Sequence, residues 1–424
     1  AEEGPDALGA ALHEGALAAQ GRLTRPVAAR VRQAAASEAS PHAPGRRLRC
    51  SALSVTSVAL SPDDATAFST TKDGALWRHD VETGARTQMR APGGVASSRA
   101  RLAAQAGAPW VFRPARGSSS AALLAVAVSD DGQYVAAAGV DRAVHVWEAR
   151  SGEAVCSLPG HRDTVTSLAF RGGTHDLYSG SLDRSVKLWS LDEQAYVDTL
   201  FGHQAGILGL SALRAPRVLS AGADRTCRLF KVDEESHLVF RGHCPVQGAA
   251  QFVNLRQWVS GDDDGSVCLW DQSQRKPVCT LRHAHGHLGK GRAGQDEAEG
   301  GPEAEGEADD KETSPSVDVA APTPTTNDPG ATAGWVSAVA ACPGSDLVAT
   351  GAGDGAVRLW AVETRSLRSV GNLPVEGYVN GLALARSARF AVAGVGQEPR
   401  LGRWARQGGA RNGVHVLPIA LEEE

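Results

Sequence analysis

The sequence predicts an all-β fold, a seven-bladed β-propeller with a helical extension before it and two unstructured insertions within it. The first observation is a recurring pair, a turn carboxylate followed by an aromatic: Asp141 to Trp147, Asp183 to Trp189, Asp224 to Phe230, Asp264 to Trp270, Asp354 to Trp360 and Glu398 to Trp404. A seventh pair, Asp73 to Trp77, reads as a shorter turn. The second is spacing. Trp147, Trp189, Phe230 and Trp270 recur at the blade period of about 40–45 residues, and the long steps after Trp77 and Trp270 are one period plus an insertion. The third is that each period divides into four short runs separated by Gly and Asp turns. One such sheet cannot bury both faces, whereas stacking sheets around an axis can.

Taken in order, the elements begin with Leu8 to Gln33. Leu12, Ala16, Ala19 and Leu23 fall at helical spacing, and Val27 and Val31 extend the pattern past Pro26, which should break or kink a helix. Arg22, Arg25, Arg30 and Arg32 crowd its second half, so residues 1–45 read as an extension that either packs on the propeller or docks on a partner. The propeller is expected over 46–420. An Ala/Gly/Ser-rich stretch at about 91–120, with Arg99, Arg101, Arg113 and Arg116, is expected to be a loop without its own core. The clearest blade has strands at Val165 to Phe170, Asp176 to Gly180, Ser185 to Ser190 and Tyr196 to Leu200. The second insertion, about 283–334, has nine acidic residues against one lysine between Gln295 and Glu312, a composition that cannot bury enough apolar surface to fold. Without that stretch the chain, formally −5, is mildly basic. Two segments compete for the outer strand that closes the ring, Arg46 to Cys50 and Asn412 to Ile419. The alternation of Val414 and Val416 favours the second.

Several function classes find no support. No apolar run is long enough to span a membrane. The chain begins at Ala1 rather than Met, so it reads as a fragment in which an upstream targeting segment would not be visible. Seven scattered cysteines without a C-x-x-C pair suit reduced thiols better than a disulfide framework or zinc site. His283, His285 and His287 form an H-x-H-x-H run, but no Cys or carboxylate pattern completes a tetrahedral set, so no metal and no cofactor is expected. Phosphate-binding loops, nucleophile elbows and dinucleotide fingerprints are absent.

Gly160-His161, Gly202-His203 and Gly242-His243 open three repeats, and with the Trp-bearing strands they resemble the WD40 family. That resemblance implies a tetrad of His, strand Ser/Thr, turn Asp and Trp inside each blade. His161, Ser179, Asp183 and Trp189 match it, as do His243, Ser260, Asp264 and Trp270. His203, Ser220 and Asp224 match, but Phe230 brings no N–H. The repeat ending at Trp360 keeps Thr350 and Asp354 and shows no histidine in place. His161, Ser179 and Asp183 also have the makings of a catalytic triad. A triad occurs once and exposes its serine, however, whereas this set recurs on structural turns.

Within WD40 proteins, Gly160 to Gln204, GDDDGSVCLWD at Gly261 to Asp271, the AHG of Ala284 to Gly286 and above all VAGVGQEPRLGRWARQGGARNGV at Val392 to Val414 resemble the propeller family of the U3 small nucleolar ribonucleoprotein, as does GRLTRPVAARV at Gly21 to Val31. The apparently short third strand of the first blade, both insertions and a reduced N-terminal region depart from that family. The resemblance implies a non-enzymatic nucleolar subunit that binds U3 snoRNA near box B/C, beside a kink-turn-binding protein, the box C/D core proteins and other small-subunit processome proteins, for 18S ribosomal RNA maturation. RNA contact is then expected from loop-tip cations. Gln397, Arg400, Arg403, Arg406 and Arg411 of the last blade come first, with Arg400 and Arg403 placed on a strand, and Arg162, Arg184 and Arg225 come next. A propeller acting only as a protein scaffold or ubiquitin-ligase adaptor is the alternative. It would use a peptide pocket on the central channel.

Overall fold

The computed structural model describes residues 25–31, 45–89, 122–242, 250–285, 334–403 and 405–422. Among these, seven antiparallel four-stranded sheets form the propeller. Blade 3 shows the pattern: Val165–Phe170 lines the channel, followed outward by Asp176–Ser181, Val186–Ser190 and Ala195–Leu200. Because neighbouring strands are antiparallel, the turn between the second and third strands and the crossing to the next blade lie on one face. The other two connections lie on the opposite face.

The core is divided as this architecture requires. Its seven clusters each join two adjacent blades, for example Val146, Leu158, Val165 and Leu177 between blades 2 and 3, and Val186, Leu188, Ile207 and Val218 between blades 3 and 4. Inner strands are edges, and their carbonyls need donors. Side chains of neighbouring blades supply them: Thr56 Oγ1 donates to Leu123 O at 2.6 Å, Thr166 to Ile207 O, Ser337 to Val379 O, and Asn380 Nδ2 to Val55 O at 2.8 Å.

Ring closure uses both competing segments. Gly413–Pro418 is the third strand of blade 7, and Arg46–Leu48 is its outermost, with Arg46 opposite Val416 and Leu48 opposite Val414. The expectation that the C-terminal segment is outermost is therefore corrected. Arg400 and Arg403, read as lying on a strand, are instead part of a long connection between Phe390–Gly396 and Gly413–Pro418. Leu417, paired with Ala391, occupies the place that Trp189 holds opposite Leu177, so the blade's tryptophan position is filled by leucine; Trp404, read as that residue, lies outside the described residues.

Blade 1 also departs from its sequence reading. His79, not Trp77, stands in the tryptophan position, opposite Ala67. It is wholly buried, and its Nε2 meets Ser69 Oγ at 2.9 Å. The third strand, Leu76–Asp80, is as long as that of blade 3.

The helix expected through Gln33 does not extend over 25–31; Leu8 to Thr24 and the two insertions lie outside the described residues, apart from the insertions' outermost positions. Residues 25–31 make one 3-10 turn, Ala28–Arg30, between two β-bridges, Arg25 with Ser345 and Val31 with Leu421. The Asp346 carboxylate accepts the amides of Val27 and Ala28 at 2.8 and 2.9 Å. Val27 and Ala28 are buried in the core shared by blades 6 and 7, so this stretch packs on the propeller.

Candidate nucleic-acid interface

The tetrads set the turns that present the exposed cations. In blade 3, Trp189 Nε1 donates to Ser179 Oγ at 2.8 Å, His161 Nε2 lies 2.7 Å from the same oxygen, and His161 Nδ1 lies 2.8 Å from Asp183 Oδ2. Burial pulls the Asp183 carboxyl upward. Bonds from His161, Ser185 and the Arg162 amide outweigh that and hold it well below the ordinary carboxylate range. This is triad geometry around a serine with no solvent exposure, already committed to an indole N–H, so no substrate can reach it.

Blade 4 repeats the network through His203, Ser220 and Asp224, with Phe230 in the tryptophan position. In blade 5 Trp270 Nε1 reaches Ser260 Oγ at 2.9 Å and Asp264 accepts the Ser266 amide, while His243 lies outside the described residues.

Blade 6 has the histidine that its sequence seemed to lack. His285 Nε2 meets Thr350 Oγ1 at 2.7 Å and its Nδ1 meets Asp354 Oδ2 at 3.0 Å, while Trp360 Nε1 donates to Thr350. The second insertion separates His285 from its partners in sequence, which hid the tetrad. His285 is thereby engaged in hydrogen bonds rather than free to join an H-x-H-x-H metal site.

On the tetrad face, the residue after each turn aspartate has positive φ. Blades 1, 5 and 6 place glycine there, Gly74, Gly265 and Gly355. Blades 2, 3 and 4 place arginine: Arg142 at φ 66°, Arg184 at 71° and Arg225 at 63°. A Cβ in that region costs on the order of 1 kcal/mol, so these turns hold a side chain where glycine would relax the backbone. All three arginines are exposed, as is Arg162 on the neighbouring crossing, and none has an ion-pair partner among the described residues.

The last-blade candidates do not form one surface. Gln397 is turned into its own loop, donating to Ala410 O at 2.8 Å and accepting from Arg406 Nη2 at 3.1 Å. Arg403 lies 3.4 Å from Glu398, which also pairs with Lys72. Arg400 turns inward. Its Nη2 donates to Leu208 O at 3.0 Å, reaching from blade 7 across the channel to the inner strand of blade 4, in a cavity lined by inner-strand residues such as Val58, Val126, Leu168, Leu210, Val339 and Leu382. Burial pushes its guanidinium down to about 10, still charged at neutral pH. Arg400 is thus a channel residue, and the strand assigned to Arg400 and Arg403 is corrected to a loop.

Arg411 instead joins three arginines that the sequence alone did not single out. A groove of about 490 Å³ at the seam of blades 7 and 1 is lined by Arg47, Arg49, Arg86 and Arg411 together with Cys50, Ser51, Ala52 and Asn412, and by no carboxylate. Arg86 Nη1 donates to Arg49 O, and its guanidinium lies 5.4 Å from the Trp77 ring centroid. Asp73 stands behind the lining, accepting from Ser51 Oγ at 2.6 Å; the four guanidiniums that line the groove repel one another, and an anion placed among them relieves that repulsion.

Five stretches, 113–148, 152–190, 194–231, 234–271 and 323–361, match the family described as WD domain, G-beta repeat. The chain is 39% identical over 370 residues to a U3 snoRNP-associated protein-like protein of Arabidopsis thaliana, covering 87% of this chain and 69% of that protein. It is 36% identical over 417 residues to U3 small nucleolar RNA-interacting protein 2 of Homo sapiens, covering 98% and 76%. The chain belongs to the U3 snoRNP-associated WD40 family. A solved U3-55K structure superposes with a TM-score of 0.70 at 37% identity, covering 89% of this chain and 99% of that one.

The matched stretches of this family member correspond to blades 2 to 6. They leave out blades 1 and 7, where His79 and Leu417 take the tryptophan position. Arg142 was legible beforehand, since Asp-Arg recurs at Asp141, Asp183 and Asp224. Arg47, Arg49 and Arg86 were not, because only ring closure brings them beside Arg411.

Proposed function

We propose that this chain is a non-catalytic, RNA-holding subunit of the U3 snoRNP, binding U3 snoRNA at its box B/C region for small-subunit processome assembly and 18S pre-rRNA processing in the nucleolus. The observation that carries the RNA contact is the carboxylate-free groove of Arg47, Arg49, Arg86 and Arg411. Phosphates placed there release condensed counterions, which gives affinity that falls with salt. The names of the relatives support U3 snoRNA as the RNA. A kink-turn-binding protein, box C/D core proteins and other processome proteins are its partners in this reading. The adaptor alternative needs an open central pocket for a peptide, and Arg400 stands across that channel.

Filter binding of a box B/C fragment of U3 snoRNA at a series of salt concentrations tests the proposal. Arg49→Ala and Arg411→Ala should each flatten the salt slope by about 1 for each phosphate that the arginine no longer neutralises. Unchanged slopes in both variants would place the RNA elsewhere, and no binding by the wild type in the presence of its partners would refute the RNA role.

A further inference from the structure

We infer that the tetrad face over blades 3 and 4 is a second RNA surface, one that takes unpaired nucleotides by stacking a base on Phe201 and gripping flanking phosphates with Arg184, Arg225 and Arg241. The inference rests on the RNA-holding role proposed above and adds the form of RNA and the place. Phe201 is 72% exposed, the most exposed large apolar side chain among the described residues. It follows Leu200, which pairs with Val186, so it stands at the end of the blade beside the Arg184 turn. In blade 4 the corresponding register pairs Thr226 with Arg241, and the Gly242 amide donates to Arg225 O, so Arg225 and Arg241 occupy the adjoining blade end. Arg184, Arg225 and Arg241 are exposed, and the first two occupy turns where other blades use glycine.

Asp183 and Asp224 belong to the same turns but face inward onto His161 and His203. The outward charge there is therefore mainly positive, with Asp163 a nearby exposed carboxylate and the half-buried Asp263 interacting with Arg225. An exposed ring on a face that carries exposed arginines suits a splayed base, because every base offers a π-face and only an unstacked one can lie on the ring. A duplex keeps its bases stacked and offers phosphates alone. A protein partner could also cover Phe201, but three exposed arginines at the two adjoining blade ends favour a polyanion.

The test measures fluorescence anisotropy with the full chain, using a short single-stranded oligoribonucleotide, the matched blunt duplex and intact U3 snoRNA. Phe201→Ala should weaken single-strand binding roughly 5- to 100-fold, the range expected when one base stack is removed, and leave duplex binding unchanged. Phe201→Trp should retain single-strand binding. The exposure of the side chain keeps these variants folded, which circular dichroism verifies. Unchanged single-strand affinity in Phe201→Ala, equal weakening on both oligonucleotides, or failure to bind a partner protein while RNA binding stays intact would each overturn the inference. If the wild type binds intact U3 snoRNA but neither oligonucleotide, the inference fails and the proposed function stands. If it binds none of the three even with the partner proteins added, both fail.

Discussion

Replacing His285 with alanine tests whether the residue beside the second insertion is a structural member of blade 6. Its side chain is fully buried and joins Asp354 Oδ2 at 3.0 Å to Thr350 Oγ1 at 2.7 Å. Removing it leaves the Thr350 hydroxyl without its imidazole partner and takes one partner from a carboxylate whose Oδ1 already has none. Stripping a partner from a buried hydroxyl and from a buried carboxylate costs about 1–3 kcal/mol each, more at the charged group. Arg358 stays 2.9 Å from Asp354 and offsets part of the loss, so about 2–4 kcal/mol is expected. In urea this moves the unfolding midpoint down by about 1 M. His283→Ala is the comparison. That ring is partly exposed and meets the Asp264 carbonyl at 3.3 Å, so a change below about 1 kcal/mol is expected. Equal midpoints for the two variants would refute the reasoning. So would a wild-type midpoint raised by zinc, with that rise abolished equally in either variant, since that is the behaviour of a shared metal site.

Arg400→Met removes a half-buried guanidinium that bonds to a backbone carbonyl; stability should change by no more than about 1 kcal/mol and U3 snoRNA affinity by no more than roughly twofold, measured by urea unfolding and filter binding. Arg184→Gly relieves a positive-φ turn, so stability should hold or rise by up to about 1 kcal/mol while RNA affinity falls; a drop in both would show that the arginine is structural. His175 sits between Asp131 at 2.9 Å and Asp192 at 2.6 Å, and these bonds raise it above its ordinary 6.5. Its contribution is therefore fully present below pH 6.5 and is lost as pH rises through the raised value. His175→Gln should flatten the pH dependence of the urea midpoint between pH 6.5 and the raised value, by a modest amount given the residue's partial exposure.

Much of blades 2 to 6 was legible in the sequence because each blade is local. A strand, its turn aspartate and its aromatic lie within one short repeat, and the alternation of burial follows from the two faces of a sheet. The tetrad of blade 3 could be named residue by residue for that reason. Blades 1 and 7 were misread because other residues fill the tryptophan position. His79 takes the place of the indole in blade 1, its Nε2 2.9 Å from Ser69 Oγ, and Leu417 fills the same place in blade 7 by packing alone. An aromatic nearby, Trp77 or Trp404, drew the assignment in each case.

The sequence by itself determined the repeated blade, its turns and the mild positive charge left once the acidic stretch is set aside. Those properties depend on neighbours a few residues apart. Tertiary structure decided everything that joins distant segments: Arg46–Leu48 against Gly413–Pro418, His285 against Thr350 and Asp354, Arg400 against Leu208, and Arg47, Arg49, Arg86 and Arg411 around one groove. Closing the ring brings the two ends of the chain into one sheet, so a cation's neighbours there are set by blade order around the axis. Separation along the chain carries no information about them.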